Sequence, residues 1–127
     1  MKVKRGQIWW ATFNDAVGHE QRGRRPVLIL QNNVGNDKSS TTIVAAITYG
    51  RGKHQHTHVW MDAGEGGLEK ESVVLLEQIR TIDKSRLTSL VGKLTLERMM
   101  RIDHHLKISL GLLNFEIKEE RRNAKYR

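Results

Sequence analysis

Residues 17–33 read VGHEQRGRRPVLILQNN, a charged, glycine-punctuated loop that runs straight into a wholly apolar segment. Gly18 and Gly23 permit sharp turns, and Val27, Leu28, Ile29 and Leu30 form a run of the kind that becomes a strand buried on both faces. Pro26, the only proline, fixes its own φ and drives Arg25 out of the helical region into an extended conformation. Arg25 therefore enters the strand with a restricted backbone and an aimed guanidinium. Glu20, Arg22, Arg24 and Arg25 set one carboxylate among three permanent cations, on a loop anchored at one end by buried structure. Such a loop suits an anion, phosphate above all, because each guanidinium is a planar fork of donors.

Outward from this junction the chain reads as further strands. Residues 3–13, VKRGQIWWATF, form a strand opened by Gly6, with Ile8 and Trp10 on one face and Trp9 and Ala11 on the other. Both tryptophans are expected to help close a small barrel-like core, and an indole left near the surface would be able to stack on a base. Residues 31–40 are a turn-rich polar connector. Residues 41–48, TTIVAAIT, make the next strand, which ends in Thr48. A hydroxyl at that exit can donate to an oxyanion, although strand preference alone accounts for a threonine there.

Residues 49–58, YGRGKHQHTH, are basic and would bring His54, His56 and His58 to one face if extended. That spacing would suit a metal. No carboxylate or fourth ligand is built in, so the favoured reading is a solvated loop touching nucleic acid. Residues 59–62 resume a strand, residues 62–71 form a glycine-rich turn, and SVVLL at 72–76 is the third strongly apolar strand. Gln78, Arg80, Thr81 and Asp83 follow as polar groups at a strand exit, which a plain turn explains nearly as well. Residues 87–94 suggest one more short strand. From Thr95 the period changes: Leu96, Met99, Ile102, Leu106, Leu110 and Leu113 give one apolar stripe on a helix that Thr95 can cap. Residues 114–127 are largely charged and read as a solvated helical extension or a disordered tail.

A chain of 127 residues is most simply one domain able to bury a core of its own. Its 22 Lys plus Arg against 14 Asp plus Glu, a net charge of +8, favour a polyanionic partner, either nucleic acid or an acidic protein segment. The absence of cysteine excludes a disulfide framework and a Cys-based zinc site. No stretch approaches the length of a membrane span and the N-terminal residues lack a signal-peptide apolar run, so a cytosolic location is expected. The carboxylates are scattered, which disfavours a metal-dependent nuclease.

The stretches RGQIWWA (5–11), GHEQRGRRPVLILQN (18–32), IVAAIT (43–48), THV (57–59) and SVVLLEQIRTIDKSRL (72–87) together closely resemble the MazF/PemK family of toxin endoribonucleases, especially its Gram-positive members. The resemblance covers roughly residues 3–113. It implies a mainly β fold with a C-terminal helix (α+β), an SH3-like small β-barrel of MazF/CcdB type. The toxin domain would occupy residues 1–113, with 114–127 a charged extension that has no family counterpart.

The resemblance further implies the toxin component of a type II toxin–antitoxin system. This would be a sequence-specific, metal-independent and cofactor-free endoribonuclease that inhibits translation and growth. It would cleave single-stranded mRNA by 2′-hydroxyl attack, leaving a 2′,3′-cyclic phosphate and a 5′-hydroxyl. The implied partners are single-stranded RNA, a second copy of the chain and a MazE-like antitoxin with an acidic, flexible C-terminal segment.

Carried over by motif, the catalytic residues are Arg25 in R-P-V-L, Thr48 in A-A-I-T and Glu20 in the E-Q loop. Arginine stays protonated, so Glu20 is chemically the better base and Arg25 suits a general acid. RNA contacts are expected at Gln21, Arg22, Arg24, Gln31, Tyr49, Lys53, Ser72, Gln78 and Arg80. The rival readings are a CcdB-like gyrase poison that cleaves nothing, and an inactive module that binds RNA or antitoxin. The paired Arg25 and Thr48 motifs speak against both.

Overall fold

The computed structural model describes residues 2–13, 23–50 and 56–113. The expectations for Glu20, Gln21, Arg22, Lys53, His54 and the 114–127 extension lie outside the described residues. Six strands form one antiparallel sheet: β1 (Gln7–Phe13), β2 (Gly23–Ile29), β3 (Thr41–Tyr49), β4 (His58–Met61), β5 (Ser72–Asp83) and β6 (Leu87–Lys93). Their order across the sheet is β4-β5-β3-β2-β1-β6. Two helices accompany them, α1 (Asn33–Lys38) and the longer α2 (Leu96–Ser109).

A short connector decides the shape of this sheet. β5 and β6 stand four strand spacings apart in sheet order, yet only the single 3₁₀ turn Lys84–Arg86 separates them. In a flat sheet that gap would measure about 19 Å. The chain from Asp83 to Leu87 reaches about 14 Å even when fully extended. The sheet must therefore curl until β5 and β6 approach each other, giving an open, barrel-like form. Inside the curl lie Val3, Trp9, Ala11, Phe13, Val27, Ile29, Val44, Ile82 and Leu87, all buried. Arg86 ties the closure by donating from Nη1 to the Thr12 carbonyl at 3.1 Å, and Asp83 caps the turn by accepting from the Ser85 N–H at 2.8 Å.

The other face of the sheet carries a larger core that includes Ile8, Leu28, Ala45, Ile47, Val74 and Leu76, roofed by Met99 and Ile102 of α2. Alternation along each strand makes this division: Leu28 faces α2 while Val27 and Ile29 face the inside of the curl. α2 is capped by Thr95, whose hydroxyl accepts from the Arg98 N–H at 3.1 Å. It is pinned by Arg98 on Glu65 at 2.5 Å and by an ion pair between Arg5 and Asp103. Its apolar stripe is narrower than the sequence period suggested. Met99 and Ile102 are buried and Leu106 is partly so, but Leu96 and Leu110 are exposed. Leu96 lies in the first turn, and the helix has ended before Leu110. Gly111 ends it at φ 73°, with Gly111 N–H donating to Ile108 and Leu112 N–H to Lys107, a Schellman pair of bonds.

Two other expectations change, while the short strand expected at 87–94 is present. The polar connector contains helix α1, capped by Asn32 and built around buried Asn36. Asn36 receives the Thr42 hydroxyl at 2.7 Å and donates to the Gln31 carbonyl at 2.9 Å, so polar residues pack here because they satisfy one another. The segment from Gln78 to Asp83 is not a turn but the second half of β5, bent by a bulge in which Leu76, Glu77 and Gln78 face no residue of β3. Residues 87–93 form β6, packed against the 3₁₀ turn Glu65–Gly67.

A Cβ on Gly92 would lie 2.3 Å from the Gly66 carbonyl oxygen. Gly92→Ala should therefore cost about 1 to 3 kcal/mol through forced backbone movement, read as a lower urea midpoint.

The histidine joining α2 to the start of β4 predicts a pH dependence. His105 Nδ1 donates to the His56 carbonyl at 2.6 Å, and burial holds its pKa below the ordinary 6.5, partly opposed by that bond. The unfolded chain then takes up the proton first, so stability falls as pH drops through 6.5 towards the folded value. Urea unfolding from about pH 7.5 to about pH 5.5 should show a larger loss in the wild type than in His105→Asn, which keeps a donor but does not titrate.

Candidate active site

Strand register assembles the site. Arg25 pairs with Ala11 across β1–β2, and Val27 pairs with Trp9 on one side and Ala46 on the other. Thr48 pairs with Val73, and Ala46 with Leu75, across β3–β5. Trp60 and His58 pair with those same two residues from β4. Residues opposite one another in a ladder share a face. One face of the sheet therefore carries Arg25, Thr48, Val73 and Trp60 on four neighbouring strands, with Val27, Ala46, Leu75 and His58 in the next row.

The β2–β3 ladder runs from Ile29↔Val44 to Val27↔Ala46. Pro26, which has no N–H to contribute, follows immediately, at a point where β2 is paired only with β1. Alternation along the two strands puts Arg25 and Thr48 on the same face, just past the point where their ladder ends. Both side chains are half-buried. A guanidinium and a hydroxyl thus share one face where the ladder ends, on a framework whose next residues, Val27 and Ile47, are fully buried. Both groups are donors of the kind that suits an oxyanion.

The remaining expected contacts distribute unevenly. Arg80 pairs with Val44 and so shares the face of Thr48, with its guanidinium carbon 4.9 Å from the Phe13 ring centre. Gln78 sits half-buried in the β5 bulge. Tyr49 is exposed beside the Lys70 ammonium, which lies 5.5 Å from its ring centre. Arg24 projects to the opposite face from Arg25. It lies 4.3 Å over the half-buried Trp10 ring and reaches the Ser89 hydroxyl at 3.3 Å.

Two residues read as RNA contacts are engaged inside the protein. Ser72 is fully buried, pairs with Tyr49 rather than lying in the Thr48 row, and donates its hydroxyl to the Lys70 carbonyl at 2.8 Å. Gln31 lies at the far end of β2 from Arg25, about 20 Å along the strand. Its amide donates to the Thr41 carbonyl at 2.9 Å and to Asn36 at 3.2 Å.

The sequence reading passed over Trp60 and the pairing of His58 with Glu77, whose Nε2 and Oε2 lie 2.7 Å apart. The alternation in HVWM carried the signal, since it sends His58 and Trp60 to the same side. The carboxylate that His58 meets comes from the β5 bulge, remote in sequence, and among the described residues no group of three or more such side chains could hold a metal.

Comparison with known proteins agrees with this architecture. The sequence matches the profile described as PemK-like, MazF-like toxin of type II toxin-antitoxin system over residues 4–110. It is 52% identical over 116 residues to endoribonuclease EndoA of Bacillus subtilis (strain 168), covering 91% of this chain and 100% of that one. The fold is similar to MazF from Deinococcus radiodurans, with a TM-score of 0.75, 27% identity, and coverage of 87% and 98% of the two chains. It is also similar to an endoribonuclease from a mycobacterial species solved in complex with its cognate antitoxin, with a TM-score of 0.72, 27% identity, and coverage of 87% and 97%. With the profile spanning the sheet and α2, the chain belongs to the PemK-like, MazF-like family of type II toxin–antitoxin toxins.

Proposed function

We propose that this protein is the endoribonuclease toxin of a type II toxin–antitoxin pair, cutting single-stranded RNA without a metal on the face that carries Arg25 and Thr48. The endoribonuclease activity rests on family membership and on the half-identical relative of that name. The observation that supports the location is the register that puts Arg25 and Thr48 on one face of the sheet, at the end of the β2–β3 ladder.

In the proposed reaction the ribose 2′-hydroxyl gives up its proton and attacks the adjacent phosphorus. The P–O5′ bond breaks, the 5′-oxygen takes a proton, and a 2′,3′-cyclic phosphate remains. Arg25 and Thr48 donate to the phosphoryl oxygens as charge builds, and Arg25 is the nearest acid for the leaving oxygen. Glu20, on the segment that leads into β2, takes the first proton. Arg80 and Gln78 extend the surface that holds the strand. Discrimination among RNA sequences belongs to side chains around this face.

The net charge of +8 suits both RNA and an antitoxin whose acidic segment would lie across the same surface. The mycobacterial relative solved with its cognate antitoxin supports a partner of that kind. The active species is a homodimer acting on mRNA in the cytoplasm, with residues 1–113 as the toxin domain. Among the described residues no helix is long and apolar enough to cross a membrane.

Incubation with a long single-stranded RNA in EDTA, followed by mapping of the cut ends, tests the proposal. Discrete cuts at a short repeated motif, each leaving a 2′,3′-cyclic phosphate, are the expected result; intact RNA would sink it. Arg25→Ala should lower the cleavage rate by about 10³-fold and Thr48→Val by about 10²-fold. Binding of an uncleavable RNA, 2′-deoxy at the cut position, should survive Arg25→Ala largely unchanged. Equal loss of binding and cleavage would make Arg25 a binding residue only.

A further inference from the structure

We infer that Trp60 is the stacking platform for the base next to the cleaved phosphodiester, a specificity-determining contact that rests on the endoribonuclease reading above. The argument starts from register. Trp60, Val73 and Thr48 form one cross-strand row, so the indole stands on the face of Thr48, two strands away. That separation is about 10 Å, the reach of a neighbouring nucleotide whose phosphate is held at Thr48 and Arg25.

The seating of the ring supports the same role. Ala46, Val73 and Leu75 form a buried cluster of their own, distinct from the two larger cores, and Trp60 packs against it while remaining half-buried. Trp9 shows what a core tryptophan looks like in this fold. It is 8% exposed, belongs to the larger inner core, and donates its Nε1–H to Gln7 at 2.9 Å. Trp60 packs on a smaller cluster of three small or aliphatic side chains, Ala46, Val73 and Leu75, and stays partly exposed.

The strand that carries the ring is also tied down. His58, two residues earlier on β4 and on the same side, has a side chain only 7% exposed and is clamped to Glu77. Thr57 reaches the same carboxylate at 3.4 Å. β4 is an edge strand of four residues, and this tie fixes it to the bulge of β5. A partly exposed indole in the row of Thr48, on a protein of +8 charge, has the chemistry of a base-stacking site.

The test uses a short RNA oligonucleotide carrying one mapped cut site, and a series in which each nucleotide flanking the cut is made abasic in turn. On the intact oligonucleotide, Trp60→Leu should lower kcat/KM by about 10- to 100-fold, mainly through KM, and Trp60→Phe should recover most of the loss. On the substrate made abasic at one position beside the cut, wild type and Trp60→Leu should become equal. A folded Trp60→Leu that cuts the intact oligonucleotide as well as wild type overturns the proposal, as does a penalty that persists at every abasic position.

If Trp60→Leu fails to fold, tryptophan fluorescence decides. The oligonucleotide carrying a 2′-deoxy group at the cut should quench wild type, and most of that quench should vanish in Trp60→Phe; equal quench in both overturns the proposal. Wild type that leaves the intact oligonucleotide uncut removes the endoribonuclease reading and this inference with it. Cutting by wild type that is lost in Arg25→Ala separates the two.

Discussion

The turn of three residues between Asp83 and Leu87 is too short for a flat sheet, and the rest of the architecture follows from that constraint. Because β5 and β6 must meet, the six strands curl and acquire an inside and an outside. The inside fills with Trp9, Phe13, Val27, Ile29 and Ile82, and the outside face of the same strands is left for α2 to cover. The bulge at Leu76, Glu77 and Gln78 lets β5 serve both halves, pairing with β4 before it and with the start of β3 after it. Ser109 of α2 donates to the Leu76 carbonyl at 2.7 Å, so the helix also satisfies an acceptor at the bulge.

The active face depends on where a ladder stops. Had the β2–β3 pairing continued as a regular ladder, Arg25 and Thr48 would be two more residues in the middle of a sheet. Pro26 cannot donate, and it stands where β2 pairs with β1 alone, so the pair at Arg25 and Thr48 sits at an opening. Immediately behind them Val27, Ile47 and Val73 are fully buried. Donors mounted on so rigid a base keep their direction before any substrate arrives, which is the condition under which fixed dipoles stabilise a charged transition state. The same rigidity extends to Trp60 through Val73, making one row of side chains across four strands.

Cations at this end of the molecule have different duties that sequence position does not separate. Arg24 and Arg25 are adjacent, yet strand alternation sends Arg24 over Trp10 and Arg25 to the face of Thr48. Arg80, 55 positions after Arg25 in the chain, shares the face of Thr48 because it pairs with Val44. Arg5 and Arg98 serve the framework by holding α2 through Asp103 and Glu65. A net charge of +8 favours a polyanion at the whole molecule, while the register decides which guanidiniums share the face of Thr48.

Local sequence sets the strands, because alternating and continuous apolar runs such as VLIL and TTIVAAIT have few other ways to be buried. It also determined the cap of α2 at Thr95 and the restricted entry of Arg25 before Pro26, since both act within a few residues. The family was legible for the same reason: its motifs are contiguous. The fold settles which side chains meet. It turned the Gln78 to Asp83 segment from an apparent turn into half a strand, through pairing with β3 that local sequence does not encode. It drew Gln31 into the α1 staple and buried Ser72, and it brought Glu77 to His58 and Trp60 into the row of Thr48. Those outcomes rest on register between strands distant in the chain, and a shift of one residue would send each of these side chains to the other face.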